Sequence, residues 1–218
     1  MLVSVVPTSS VRRPGRAGPP PGKGAFRPRI VAAARRHFFA HGFRGVTMDD
    51  LAAELGASKK TLYAHFPSKL ALLEAVLQAK FRDFEAEVAR IAPEGPPDFA
   101  ASLQRLLACV QRHTEEIQPP FLRDLRREAP AVFQVVEVRR RQVIRRHFGS
   151  LLEAGRRQGL VRKDVPLHLV IEILLAAVAA IMNPPRMAEL GLTPQTGFSA
   201  ILTVILHGVI RPQGRSSP

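Results

Sequence analysis

The sequence has one cysteine, Cys109, no tryptophan and one tyrosine, Tyr63, among 218 residues. A single thiol excludes a disulfide framework within the monomer and suits a reducing cytoplasm. The longest apolar stretch, Leu169 to Met182, is interrupted by Glu172 and is shorter than a membrane span. The apolar run Leu2 to Val6 is too short for a signal-peptide core. We therefore expect a cytoplasmic protein that has no membrane partner.

Motifs for catalysis are also missing. The chain has no phosphate loop with its Gly-Lys-Ser/Thr and no dinucleotide-binding glycine pattern after a strand. The seven histidines are spread over several predicted helices, and no two pair with an acid at metal-ligand spacing. These patterns argue against an enzyme, and we expect neither a cofactor nor a bound metal. Cys109 is interpreted as a small core residue, the alternative being a thiol sensor in a cationic, accessible setting.

The charge is strongly unbalanced. Thirty-two Lys and Arg residues against 18 Asp and Glu residues give a net charge of +14. Such an excess implies a polyanionic partner, either nucleic acid or an acidic membrane surface. Apolar residues recur at helical spacing, and neither an alternating strand pattern nor a solenoid repeat occurs. The sequence therefore predicts an all-α protein.

One stretch, from Thr47 to Lys69, has the pattern of two short helices joined by a tight turn. Thr47 followed by Asp50 is typical of a helix start, and Gly56 is typical of a helix end. Ser58 can cap the second helix, whose Leu62 and Phe66 share one inward face. The opposite side of that helix carries donors and an aromatic ring: Lys59, Lys60, Thr61, Tyr63 and His65. A helix that is apolar on one side and cationic on the other suits the major groove of DNA.

The run from Ala57 to Lys69 resembles the recognition-helix signature of the TetR/AcrR family of bacterial transcriptional repressors. Upstream residues stand at the spacing of that family's first helix and the start of its second: Ile30, Ala33, Ala34, Phe38, Gly42 and Thr47. The resemblance covers roughly Arg29 to Val76. Two positions depart from the family pattern, since His37 replaces a usual Leu and Lys60 a usual small residue.

The resemblance implies a homodimeric repressor that leaves its operator when a small-molecule effector fills an apolar pocket. It also implies that the last two helices of each protomer form a four-helix bundle around a two-fold axis. Those helices are apolar on several sides, so we expect Leu174 and Ile205 to lie in the dimer interface.

We predict three regions along the chain. Residues 1–24 form a disordered basic tail, either simply solvated or an arm that touches DNA. Residues 25–72 form a three-helix helix-turn-helix DNA-binding domain. Residues 73–218 form the helical effector-binding and dimerisation domain, linked to the first by a long helix from Lys69 to about Ile91.

The predicted DNA contacts are of two kinds. Lys59, Lys60 and Thr61 lie in the first turn of the recognition helix, where side chains usually reach base edges. Contacts to phosphate are expected from Tyr63, His65, Lys69 and Thr47. A symmetric dimer predicts an inverted-repeat operator on double-stranded DNA, with half-sites about one turn, roughly 34–36 Å, apart.

The effector pocket is predicted between the helices that contain Leu103–Ile117 and Phe133–Leu151, with His113 and Arg140 as polar contacts. Helical spacing places Arg140 on the same side of its helix as the apolar residues. A buried arginine needs a partner. That partner is either Glu128 or Glu137, or the carboxylate of an acidic effector.

Other functions fit parts of the pattern. High charge alone equally suits a non-specific architectural DNA-binding protein, and an activator of the same fold would have the same sequence features. A membrane-surface protein is disfavoured because no basic helix carries an interfacial aromatic set.

Overall fold

In a computed structural model of the chain, residues 23–91 and 98–210 are described, with side chains from residue 25. The side chains of the predicted basic tail, residues 1–24, are not among those described. The helices are α1 (Lys23–His41), α2 (Met48–Leu55), α3 (Lys59–His65), α4 (Lys69–Ala89), α5 (Phe99–Glu115), α6 (Pro119–Glu128), α7 (Pro130–Val143), α8 (Gly149–Arg157), α9 (Leu167–Ile181), α10 (Pro184–Glu189) and α11 (Pro194–Val209). Over the described ranges the only β pairing is an isolated bridge between Val161 and Ile210. The all-α prediction is confirmed.

The capping residues predicted around the helix-turn-helix form the expected bonds. The Asp50 N–H donates to Thr47 Oγ1 at 3.1 Å, and the Thr47 N–H donates to Asp50 Oδ2 at 2.7 Å. Gly56 ends α2 with φ of 61°, a left-handed conformation that glycine adopts without a Cβ clash. Ser58 caps α3 by accepting the Thr61 N–H at 3.0 Å. These local bonds set where the two short helices begin and end.

A first hydrophobic core holds α1, α2, α3 and the start of α4 together, and α6 packs on it. Leu51, Leu62 and Phe66 are buried in it, as is Phe121 of α6. The predicted boundary at residues 72 and 73 falls within the continuous helix α4.

Gly42, which ends α1, lies close to α6. It has φ of +87°, and an added Cβ would come within 2.5 Å of the Asp124 carboxylate. The buried Asp124 also accepts the Arg44 N–H at 2.9 Å. The turn after α1 is therefore held on α6, beyond the predicted DNA-binding domain.

A second core joins the end of α4 to α5, α8, α9 and α11. The segment from Pro130 to Gln158 has the apolar spacing of one long helix, but a π-helical turn over Ile144–Phe148 divides it into α7 and α8. Ile144 and Phe148 are both buried in this core. None of the described helices has the length and apolar character to cross a membrane.

Two helix boundaries are set by more than apolar spacing. Helix α1 begins at Lys23, before the amphipathic spacing that starts at Arg27, and includes Pro28. The segment Asn183-Pro184-Pro185 follows the end of α9, as proline predicts, and it also begins α10. Asn183 accepts the Arg186 N–H at 3.1 Å, and the two prolines occupy first-turn positions whose N–H groups need no helical partner. The same residues can end one helix and start another.

Candidate DNA-binding face and interior cavity

The outer side of α3 is exposed because its inner side is fixed in the first core. Leu62 and Phe66 are buried, whereas Lys59, Lys60 and Tyr63 are exposed. Within the described chain, Lys60 has no hydrogen-bond or ion-pair partner. Its ammonium group is therefore free to meet an anion.

Lys59 differs from Lys60 because its ammonium group already has a partner. Its Nζ donates to Asp49 Oδ2 of α2 at 2.7 Å. This hydrogen bond raises the pKa of Lys59 above its ordinary value. Before any anion binds, the ammonium group of Lys59 is therefore paired, whereas that of Lys60 is not.

Three of the predicted contact residues are held by local interactions. The Thr61 and Ser58 hydroxyl oxygens are 2.8 Å apart, and the Thr47 hydroxyl donates to Asp50 at 2.7 Å. The His65 ring lies 5.7 Å from the ring of Phe26 in α1. These bonds fix the side chains beside the exposed lysines.

Lys69 lies at the start of α4 and is half-buried. Its Nζ is 4.4 Å from the centre of the Phe43 ring and 3.4 Å from the Arg44 carbonyl oxygen. Burial lowers the pKa of Lys69 below its ordinary value. The side chain is thus braced by the loop before α2.

The apolar neighbours of His37 at helical spacing predict a packed, hydrogen-bonded core histidine, and the structure has the hydrogen bond without full burial. Its ring is partly exposed, and its Nε2 contacts the Glu54 carboxylate of α2, which Arg36 also contacts. An acid on the neighbouring helix, which the spacing within α1 does not reveal, draws the ring to the edge of the core.

An apolar cavity of about 210 Å³ lies between α4 and the helices that follow it in the chain. Both His113 and Arg140 line it, so the two predicted effector contacts come together in one site. Its apolar walls come from six helices and the π-helical turn and include Phe81, Phe84, Val110, Phe148, Val178 and Phe198. Among the described residues that line it, none is acidic.

Arg140 has a partner within its own helix. Its guanidinium pairs with Glu137, three residues earlier, rather than with Glu128. Burial lowers the pKa of Arg140, and the Glu137 charge partly opposes this shift. The protein itself therefore supplies a carboxylate for this buried cation.

His113 is bonded through both ring nitrogens. The Lys80 ammonium donates to Nδ1 at 3.0 Å, so Nε2 carries the proton and donates to Glu87 at 2.9 Å. Burial lowers the pKa of His113 and favours this neutral form. An edge-on contact with Phe84 completes its surroundings.

Lys80 is the functional candidate that sequence reasoning missed. Only 7% of this residue is exposed, and it lines the same cavity. Its ammonium group donates to Glu116 and, at 2.7 Å, to the His113 carbonyl oxygen. Its spacing of four from both Val76 and Phe84 placed it on the inward stripe of α4, which was the available signal.

The Glu116 carboxylate extends the Lys80 contacts to the DNA-binding unit. Arg35 of α1 donates two hydrogen bonds to it, at 2.9 and 2.8 Å, and also pairs with Asp83 of α4. A continuous polar network therefore connects the cavity wall to α1.

A cluster of three possible metal ligands lies beside this network. Oxygen, sulfur and nitrogen atoms of Glu87, Cys109 and His113 lie within 4.8 Å of one another, so one histidine meets an acid and a thiol at ligand distance. The acid comes from α4, which spacing within α5 cannot reveal. Hydrogen bonds from Arg112 and His113 lower the pKa of Glu87 to about 2. A metal would have to displace these donors.

Cys109 is buried as predicted. Burial raises the pKa of its thiol to about 12, which leaves it protonated. A reactive thiolate is absent from this setting.

Helices α9 and α11 expose apolar side chains at Leu169, Ile173 and Val204, which are 46%, 49% and 74% exposed. The residues chosen from the sequence are placed differently. Leu174 is buried in the protomer's own second core, and Ile205 packs against that core. Leu174 therefore belongs to the protomer's own core, whereas Leu169, Ile173 and Val204 face outward.

Comparison with known proteins agrees with this arrangement. The profile of the family described as "Bacterial regulatory proteins, tetR family" matches residues 30–76, which include α2 and α3. The chain is 25% identical over 169 residues to the HTH-type transcriptional repressor SCO4008 of Streptomyces coelicolor, covering 76% of this chain and 83% of that protein. It is 44% identical over 52 residues to the HTH-type transcriptional activator FasR of Mycolicibacterium smegmatis, covering 24% of each.

A solved structure extends the likeness over most of the fold. The putative transcriptional regulator from Saccharomonospora viridis, in complex with choline, has a TM-score of 0.64 and 21% identity, covering 87% of this chain and all of that chain. The cationic recognition helix and helical second half define a helix-turn-helix regulator of transcription. Residues 30–76 form a helix-turn-helix of the TetR type, since they match the model of that family of bacterial regulatory proteins.

Proposed function

We propose that the protein is a dimeric, cytoplasmic transcriptional repressor that binds an inverted-repeat operator and releases it when a small molecule fills the interior cavity. The proposal rests on the exposed outer side of α3, where Lys60 and Tyr63 lie on a helix that Leu62 and Phe66 anchor in the core. A rigid helix with free donors is the element that reads base edges in the major groove.

Within this proposal, Lys59, Lys60 and Thr61 contact base edges, and Thr47, Tyr63, His65 and Lys69 contact the DNA backbone. Phosphate contacts fix the register of a protein on DNA, whereas base contacts select the sequence. The cap at Thr47 and the bracing of Lys69 support the second role because both residues are fixed before DNA arrives.

The cavity supports control by a small molecule. An effector changes the equilibrium only if it binds the DNA-free conformation more tightly than the DNA-bound one. Helix α4 runs from the edge of α3 to the cavity wall at Lys80, so it is the element we propose to transmit that difference.

The exposed apolar faces of α9 and α11 support a dimer. Two copies that buried Leu169, Ile173 and Val204 against each other would remove this apolar surface from water. A two-fold axis through these helices would place one α3 on each side.

The test is selection of bound sequences from randomised duplexes by the full chain, followed by titration of the selected and scrambled duplexes. We expect an inverted repeat and binding at least a hundredfold tighter, on the order of the specificity of other regulators. Equal affinity for both duplexes would overturn the regulator proposal and favour an architectural DNA-binding protein.

An activator is a second candidate because FasR, a 44% identical relative over its matched region, is named an activator. A reporter downstream of the selected site distinguishes the two, since deletion of a repressor raises expression and deletion of an activator lowers it.

A further inference from the structure

The charged groups at the cavity wall have one sign. Lys80 from α4 and Arg140 from α7 line the cavity with the neutral His113, and none of the described lining residues is an acid. The carboxylates that balance the two cations, Glu116 and Glu137, are outside the lining. A ligand in the cavity would therefore meet cations before it met an anion.

The two cations are not equivalent. Arg140 pairs with Glu137 on its own helix, so this pair involves no other element. Lys80 instead joins α4 to α5 through Glu116 and the His113 carbonyl oxygen. A ligand that competes for Lys80 changes a contact between two helices, whereas a ligand that competes for Arg140 does not.

We propose that the effector is a compact hydrophobic monocarboxylic acid, and that its carboxylate takes the Lys80 ammonium from Glu116. This inference rests on the proposed function because it names the ligand class of the same regulatory cavity. The cavity volume of about 210 Å³ is below the ~300–1,000 Å³ of drug-sized sites, which sets the compact size. The mostly aliphatic and aromatic lining sets the hydrocarbon body.

The ammonium of Lys80 is poorly stabilised in its present place. Burial and the nearby Arg35 charge lower the pKa of Lys80 to about 7. A ligand carboxylate would supply a further anion at this buried cation. By contrast, the cation choline, which the Saccharomonospora viridis structure holds, carries the same charge sign as this lining.

The exchange would reach the DNA-binding unit through Arg35. This residue holds α1 to α5 through Glu116 and to α4 through Asp83. Once Lys80 leaves Glu116, α4 can shift relative to α5, and Arg35 cannot keep both partners unchanged. The position of α1, and of α3 packed with it, would then depend on the ligand.

The experiment compares octanoate with octanamide, which share a hydrocarbon chain and differ in charge. Calorimetric titration of the full chain should show octanoate binding at least about tenfold tighter, the ratio expected for one charge-assisted contact. Octanoate, and not octanamide, should lower affinity for the selected operator.

The decisive variant is Lys80→Met with Glu116→Gln, which removes both charges of this pair while Arg35 keeps Asp83 as its anionic partner. It should bind octanamide within about twofold of wild type and lose the preference for octanoate. The matched control, Arg140→Met with Glu137→Gln, should keep that preference. Circular dichroism melts establish that both variants fold.

Three results would overturn the inference: equal binding of acid and amide by wild type, binding of neither, or loss of the preference in the Arg140 control alone. Each is distinct from failure of the proposed function, which would appear as a wild type that does not distinguish operator from scrambled DNA.

Discussion

The outer faces of α3 and of the α9–α11 pair differ in what they leave exposed. Helix α3 buries its apolar side in the first core and presents lysines and a tyrosine. Helices α9 and α11 bury one apolar side in the second core and still expose Ile173 and Val204. Exposed charge suits a polyanion, whereas exposed hydrocarbon suits another protein surface. The contrast supports the proposal that DNA binds at α3 and a second copy of the chain at α9 and α11.

The largest effect should come from placing charge on the exposed apolar face of α9 and α11. Ile173→Glu with Val204→Glu would place carboxylates in the proposed dimer interface, costing several kcal/mol, so the dimer Kd should rise on the order of a thousandfold. Analytical ultracentrifugation would show a folded monomer. Val135→Glu, at an equally apolar and 67% exposed position on α7, is the control and should stay dimeric. A soluble dimer from the double variant would move the interface elsewhere.

A smaller effect should follow from neutralising the charged face. Lys60→Ala should cost about 1–3 kcal/mol on the selected operator and much less on scrambled DNA, because a base contact is lost. Lys59→Ala should cost less than Lys60→Ala because Asp49 already holds that ammonium group. Fluorescence anisotropy of wild type and both variants on the two duplexes measures the six affinities. Equal losses on both duplexes for Lys60→Ala would show that this side chain reads no base.

The smallest effect is expected at Glu87, a carboxylate that is already paired within the protein and meets neither DNA nor a second copy. The pKa of Glu87 is about 2 in the folded chain against 4.5 for the free group. Its stabilisation is therefore complete above pH 4.5 and is lost as the pH falls toward 2. The advantage of wild type over Glu87→Gln should shrink across this window. Urea midpoints measure it, and a difference independent of pH would contradict the assignment.

Local chemistry made the helix-turn-helix predictable. The Thr47 cap, the Gly56 turn and the Ser58 cap depend on residues within four positions, so their outcome could be derived from spacing alone. The exposed side of α3 followed from the burial of Leu62 and Phe66. The same reasoning placed His113 and Arg140 on inward faces, and both line the cavity.

Contacts between distant helices could not be derived in the same way. Arg35 and Glu116 are 81 positions apart, and their bidentate pair depends on where the end of α5 lies relative to α1. Leu174 and Ile173 are adjacent, and only the packing of α9 decides which faces the protomer's own core. Periodicity identifies apolar stripes, but it does not assign a stripe to a particular neighbour.

The Lys59–Asp49 pair also bears on how binding responds to ionic strength. A lysine without an ion-pair partner in the free protein contributes fully to the release of counterions from DNA when it meets a phosphate. Lys59 already has an internal anion at 2.7 Å, so it exchanges one fixed charge for another. The contribution of Lys60 to the slope of log affinity against log salt should therefore be full, and that of Lys59 only partial. Asp49→Asn would restore the missing fraction and make the slope steeper by up to about one unit.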